Sequence, residues 1–436
     1  MTADTHTLTL WRVQDGLRYG LLGFPLAFCA LPLYVLLPNL YAREFGVGLS
    51  TLGGILLGAR LFDAMIDPLL GRWCDRLYRR SLDSVQGFGA AAALLLAIGF
   101  AMLFFPPTRQ AQALQVWATA WLVLTYAAFS ALSVAHQSWG AMLGGSELVR
   151  SRVVAWREGL GLVGVVIAAL LPSLLGLGSM VALFALSLLV GLMAWRGAVR
   201  PLQPLRQLLP MGKTHNAEAK DLWLPWRVAA FRKLILVFSI NGIASAVPAT
   251  LVLFFVQDRL QAPESIQPLF LGSYFVCAAL SMPLWLAAVK RFGLQKSWLA
   301  GMGLAITVFL SALQMGPGDV VPFILVCALS GLALGGDLAL PGAMLAGVIG
   351  QANHRGVAEG AYFGWWNFVT KLNLALAAGV TLPLLQWFGY TPGARDVNAL
   401  EALAWTYCLL PCVLKAMAAL ALYIFIIKPE TEKEAP

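Results

Sequence analysis

Long apolar stretches recur along the chain, separated by shorter segments that hold most of the Arg, Lys, Asp and Glu. An α-helix needs about 20 mainly apolar residues to cross a bilayer. Twelve such stretches can be counted, centred near residues 30, 61, 95, 124, 163, 187, 243, 277, 305, 332, 372 and 414. The pattern predicts an all-α membrane protein with twelve transmembrane helices. Its longest break, residues 197–229, is rich in Pro, Lys and Arg and reads as a cytoplasmic linker between two six-helix bundles, 1–196 and 230–436. The first stretch carries Pro25, Pro32 and Pro38, each of which removes a backbone hydrogen bond, so bends are expected there.

Polar residues inside these stretches are the candidate chemistry. The second stretch, about Leu49–Trp73, contains Gly58-Ala-Arg60-Leu-Phe-Asp63-Ala-Met-Ile-Asp67-Pro68-Leu69. At 3.6 residues per turn, Arg60, Asp63 and Asp67 share one stripe. A carboxylate at the centre of a membrane helix costs about 2.5–3.5 kcal/mol on insertion scales, so it faces a partner, an ion or water. Two acids one turn apart can share a cation or hold a proton between them. On the fourth stretch Tyr126, Ser130, Ser133 and Gln137 form a polar stripe that faces a cavity or another helix, with His136 beside it. His136 by itself reads equally as a structural hydrogen-bonder and as a ligand or proton carrier. Asn241 and Ser245 share a face of the seventh stretch. Asp337 stands after Gly335-Gly336 and before Pro341, where it either binds a cation or substrate or pins an unwound segment. Lys371 lies deep in the eleventh stretch and needs a carboxylate, for which Asp63 and Asp67 are candidates. Lys415 on the twelfth can snorkel or pair locally. Tyr362, Trp365 and Trp366 either stack on a substrate ring or face lipid.

Composition sharpens this picture. Hydrophobic residues make up 59% of the chain and charged ones only 12%, with mean hydropathy +0.76; soluble domains carry about 25% charged residues. The net charge of +9 would suggest nucleic acid in a soluble protein, but its distribution argues otherwise. Arg43, Arg109, Arg259 and Arg395 fall in loops on one side, whereas nearly all other loop Lys and Arg fall on the opposite side. The positive-inside rule then places both termini in the cytoplasm and leaves no nucleic-acid partner. The polar start, Met1–Gln14, precedes an apolar run too long for a signal-peptide core, so no cleaved leader is expected. Six cysteines form no CxxC, which suggests neither disulfide nor zinc. The absence of HExxH, of G-x-S-x-G and of any catalytically spaced Cys/His/Asp cluster argues against an enzyme.

Three segments carry a family resemblance. Gly71-Arg-Trp-Cys-Asp75-Arg76-Leu-Tyr-Arg79-Arg80 resembles the cytoplasmic gate loop of the major facilitator superfamily, with a weaker counterpart at Ala288–Lys296. Arg60-Leu-Phe-Asp63-Ala-Met-Ile-Asp67-Pro68 resembles the helix II signature of the glycoside–pentoside–hexuronide:cation symporters. Tyr362-Phe-Gly-Trp-Trp366-Asn367-Phe-Val-Thr-Lys371, followed by Gly389-Tyr390-Thr-Pro392, resembles their helix XI segment. The likeness covers the whole chain. It implies a major facilitator fold and cation-coupled symport of a sugar or glycoside by alternating access. Asp63 and Asp67 would stand at the cation site, Lys371 and Arg60 as their charge partners, and Arg157 on the substrate side. Tyr126, Ser130, His136, Gln137, Asn241, Asp337, Trp366 and Asn367 complete the candidate substrate set, and Gly71, Asp75 and Arg76 the gate. No cofactor is implied beyond H⁺ or Na⁺, and the expected setting is a monomer in a bacterial inner membrane.

The departures matter. Sugar-transporting members carry acids near Ala27 and Ser130, and both are missing here. Ile66 and Ala127 stand where sodium-using members place an amide and a hydroxyl, which favours a proton over sodium. Gly347 and Gly350 lie where acids of an inner gate commonly stand. A lysolipid or other amphiphile carrier of the same fold is the alternative.

Overall fold

The computed structural model describes residues 12–47, 49–201 and 221–429, and the regular structure within them is helical. Most of the polar start and most of the expected linker (202–220) lie outside the described residues. Among the described residues twelve long helical segments follow one another: α1 (Val13–Tyr41), α2 (Leu49–Arg80), α3 (Leu82–Phe104), α4 (Ala111–Met142), α5 (Glu147–Pro172), α6 (Leu174–Arg196) and α7 (Ala229–Arg259) come first. Next, α8 starts as Gln267–Leu280, bends by 43° at Ser281 and continues to residue 292, and α9 covers 294–312. The last three are α10 (Val320–Gln351), α11 (Glu359–Trp387) and α12 (Val397–Ile427). Among the described residues nine of these are long and apolar enough to cross a membrane, and the α8–α9 pair passes as a tenth span. The charged α2 is not in that set, although its 32 residues suffice in length.

Local sequence explains the breaks. In α1 the expected bend is a wide π-type turn at Pro32–Leu36, opened by the proline that cannot donate a backbone hydrogen bond. The break between α5 and α6 is completed at Gly176 (φ 81°, ψ 174°), in the first turn of α6, and the turn joining α8 to α9 passes through Gly293 (φ 80°, ψ 171°). This region of backbone space is open essentially to glycine alone. Serine caps start two helices: Ser81 Oγ accepts from the Ser84 N–H at the head of α3, and Ser146 Oγ from the Val149 N–H at the head of α5.

The chain divides into two compact units, Met1–Val228 with Ala346–Phe368, and Ala229–Leu345 with Val369–Pro436. The first therefore holds α1–α6 with the end of α10 and the start of α11. Its core is aromatic: the Phe184 ring lies 5.9 Å from Phe28 and 4.3 Å from Phe100, and Trp139 meets Trp195 edge-on at 5.4 Å. The second unit packs around Phe255, whose ring stacks on Tyr407 at 4.3 Å and lies 5.4 Å from Phe323. Lipid is as apolar as these side chains, so their contribution in the membrane is close packing rather than escape from water.

Candidate functional site

The two faces of α2 set the site. Leu57, Leu61, Met65, Leu69 and Trp73 recur every fourth residue and are all at least half exposed, as a lipid-facing stripe requires. Asp63 (3% exposed) and Asp67 (0%) lie about 200° around the helix from Leu61 and Met65, on the buried face. The acids are therefore turned into the protein. Ser130 Oγ, itself buried on α4, donates a 2.7 Å hydrogen bond to Asp63 Oδ1. Tyr126, one turn before Ser130, is buried with its ring 6.2 Å from that of Tyr34 on α1.

Arg60 takes a different environment from its neighbours. Its guanidinium sits 4.5 Å from the centre of the Tyr34 ring, a cation–π contact. The side chain reaches across to α1.

A second polar cluster in the same unit gathers around Tyr19 of α1. The Tyr19 hydroxyl donates to the His136 backbone carbonyl, and His136 Nε2 lies 2.8 Å from the Tyr19 carbonyl. The His136 ring stacks on Tyr19 at 4.3 Å and meets Trp195 edge-on at 5.8 Å. His136 thus sits fully buried in a packing position, about 240° around α4 from Ser130. Arg157 on α5 donates through Nε (3.0 Å) and Nη2 (2.5 Å) to Glu158 Oε1, so its charge is matched by its own neighbour. Gln137 is half-buried, and its buried Oε1 accepts no hydrogen bond from the described residues.

Of the residues expected at the gate, Gly71 and Asp75 hold the start of α11. Asp75 (4% exposed) accepts hydrogen bonds from the backbone N–H groups of Gly360 (2.6 Å) and Ala361 (2.9 Å). A carboxylate at a helix N-terminus satisfies donors that have no partner within the helix and meets the positive end of its dipole. Gly71 makes this possible, because a Cβ there would collide with the Gly360 carbonyl. Arg79 adds a 3.4 Å bond to the Val357 carbonyl, whereas Arg76 is exposed. Nearby, the Tyr362 hydroxyl pairs with His354 Nδ1 at 2.8 Å, and the Trp365 indole donates to the Leu222 carbonyl and packs on Trp223 and Trp226. Trp366 is buried and Asn367 half-buried.

In the second unit, Lys371 is half-buried on α11. Asn241 and Asp337 belong to a network that the sequence did not announce. Lys415 Nζ donates to Asp337 Oδ2 (2.7 Å), Asn241 Oδ1 (2.8 Å) and Ser245 Oγ (3.1 Å). Asp337 also accepts from Asn241 Nδ2 (3.1 Å), Trp298 Nε1 (2.9 Å) and Ser245 Oγ (3.3 Å). Of the two readings open for Lys415, local pairing is the one realised. For Asp337 the outcome is a closed ion pair within an unbroken α10. Trp298 was missed altogether; a tryptophan inside a span gives no sign of which carboxylate its N–H will find.

A family profile described as "MFS/sugar transport protein" matches residues 17–428. The chain belongs to that family. It is a multi-pass membrane transporter of the major facilitator superfamily. The transporter is 25% identical over 434 residues to the isoprimeverose transporter of Lactiplantibacillus pentosus, covering 94% of this chain and 88% of the relative. It is 24% identical over 454 residues to the sphingosine-1-phosphate transporter MFSD2B of Mus musculus, again covering 94% and 88%. Among solved structures, the E. coli fucose:proton symporter superposes with a TM-score of 0.69 at 16% identity, covering 95% of this transporter and 98% of that chain. That likeness bears on the fold alone.

Proposed function

We propose that this transporter is a symporter that couples uptake of a sugar- or glycoside-like small solute to a cation, with a proton favoured over sodium. The reading rests on one observation: Asp63 and Asp67 are buried on the face of α2 opposite its apolar stripe, and Asp63 is engaged by the Ser130 hydroxyl. Acids inside a membrane helix act where they can load and unload charge. In this proposal Asp63 and Asp67 take the ion, and Lys371 supplies the compensating charge when the ion is absent. A carrier with an uncompensated charge closes reluctantly, so the empty and doubly loaded forms are the ones that reorient. The apolar side chains at Ile66 and Ala127 leave few oxygens for a hard cation, which supports the proton. Tyr126, Ser130, Gln137, Arg157, Trp366 and Asn367 are the proposed substrate residues. His136 is set aside because it is fully buried against Tyr19 and Trp195, and Asn241 and Asp337 because they close the Lys415 network. Both termini would face the cytoplasm of a bacterium, and the carrier would work as a monomer.

The test is uptake into proteoliposomes under imposed pH or sodium gradients across a panel of glycosides. Asp63→Asn and Asp67→Asn should each abolish accumulation above the external concentration. A variant that still concentrates substrate removes the assigned role. A lipid carrier is the second reading, favoured by the similarity to the sphingosine-1-phosphate transporter and by the lack of acids at Ala27 and Ser130. Thermal stabilisation by lysolipids but not by glycosides would decide for it.

A further inference from the structure

The Lys415 network has the composition of a cation site. Three oxygens of different kinds, carboxylate, amide carbonyl and hydroxyl, converge on one point at 2.7, 2.8 and 3.1 Å. They come from α10 and α7. The point they surround is only 4% exposed at the level of the Lys415 residue. An ammonium has three N–H donors and no acceptor, and all three are used here. Behind the cage, Trp298 of α9 and the Asn241 amide hold the far carboxylate oxygen of Asp337, so the charged ligand is fixed in place. Four helices of the second unit thus meet on a single charge.

We propose that Lys415 is a tethered cation: its ammonium fills an alkali-cation cage made by Asp337, Asn241 and Ser245. The amine arrives on its own helix and cannot diffuse away, so Asp337 stays neutralised whatever ion the carrier is loading. A free ion in this cage would compete directly with the ammonium for the same oxygens. The consequence for coupling rests on the symport proposed above: Asp337 is withdrawn from ion loading, which is left to the α2 acids. The cage does not rest on that reading, because its occupancy is measurable without transport. The oxygens stand farther out than the about 2.3–2.6 Å of calcium sites, so the probes include the larger alkali ions.

The experiment uses the purified full chain in detergent, comparing NaCl, KCl and LiCl with choline chloride. In choline chloride, Lys415→Ala should lower the apparent Tm by about 5–15 °C, the cost of stranding a buried carboxylate. At least one alkali cation should restore half or more of that loss in a saturable titration. The double variant Asp337→Asn/Lys415→Ala should show no cation response beyond that of the unmodified protein. A Lys415→Ala response no larger than the unmodified protein's overturns the proposal. Where Lys415→Ala does not survive purification in choline salt, recovery of folded protein only in an alkali salt supports the cage. Its loss in every salt overturns the cage, whether or not the charge-free pair Asp337→Asn/Lys415→Met folds. A failure of proton- or sodium-driven uptake in the unmodified protein would sink the symport reading and leave this result untouched.

Discussion

Replacing Asp75 by Asn tests the latch between α2 and the head of α11 with the least change of shape. The carboxylate accepts from the Gly360 and Ala361 N–H groups at 2.6 and 2.9 Å and is 4% exposed, so solvent cannot take its place. Hydrogen bonds to a charged group contribute about 1.5–3 kcal/mol each, which makes about 3–6 kcal/mol for the pair. An asparagine oxygen keeps one neutral bond of about 1 kcal/mol, and its NH₂ then points at the second N–H, where it cannot accept. The neighbouring Glu359, 1% exposed and bonded by the Gly356 N–H at 2.6 Å, repels the Asp75 carboxylate and trims the loss further. The net is about 2–4 kcal/mol, or about 30- to 900-fold in the opening equilibrium of the first turn of α11. Amide hydrogen exchange reads that equilibrium directly. Peptides covering Gly360 and Ala361 should exchange faster by that factor in Asp75→Asn, while the mid-α11 amides change little. Protection within threefold of the unmodified protein would refute the latch.

Three further outcomes follow from the same geometry. Gly71→Ala and Gly360→Ala should each lower the apparent Tm in a thermal scan by several degrees, since either Cβ meets the carbonyl of the other residue, and an unchanged Tm in both would show that α2 and α11 need not approach so closely. Ser130→Ala removes the hydroxyl donor to Asp63, a bond of about 1.5–3 kcal/mol, so the initial rate of gradient-driven uptake should fall by about tenfold or more, and an unchanged rate would count against the contact. Asp258→Asn strips the carboxylate that gathers the Tyr390 hydroxyl, the Gly393 N–H and Arg395, so trypsin should cut at the exposed Arg395 several times faster, with equal rates counting against an ordered loop here. Burial and that same carboxylate push the Tyr390 phenol up, which keeps it a hydrogen-bond donor throughout the accessible range.

What the sequence made legible was whatever is decided within one helix. The orientation of α2 is the clearest case. Leu57, Leu61, Met65 and Leu69 recur at intervals of four, and Asp63 and Asp67 keep the same interval on the opposite side, so period alone turns the acids inward. The polar stripe of α4 was readable as a face turned to a cavity or another helix, and its Ser130 meets Asp63 of α2. The proline-rich first span announced its bend, and the structure places a wide turn at Pro32–Leu36.

What stayed hidden is decided between helices, where a helical wheel gives an angle but no neighbour. His136 stands next to the polar stripe, yet its partners are Tyr19 and Trp195, and neither carries a periodic signal pointing back to it. Arg60 is spaced three residues from Asp63, yet its guanidinium lies over the Tyr34 ring of α1, a contact that no pattern within α2 announces. Lys415 is the sharpest instance. A lone lysine on an apolar helix can always reach for the interface, so its local sequence argues for snorkelling. The competing outcome needs a carboxylate, an amide and a hydroxyl at one depth on two other helices, and Asp337, Asn241 and Ser245 are separated from it by 78, 174 and 170 residues. Once those three oxygens converge, pairing outweighs snorkelling, because a buried ammonium with every N–H satisfied also relieves the cost of the buried carboxylate opposite it. The same convergence would have been just as satisfying for a free ion, so whether Lys415 can be replaced by one decides if this is a cation cage or only a helix clamp.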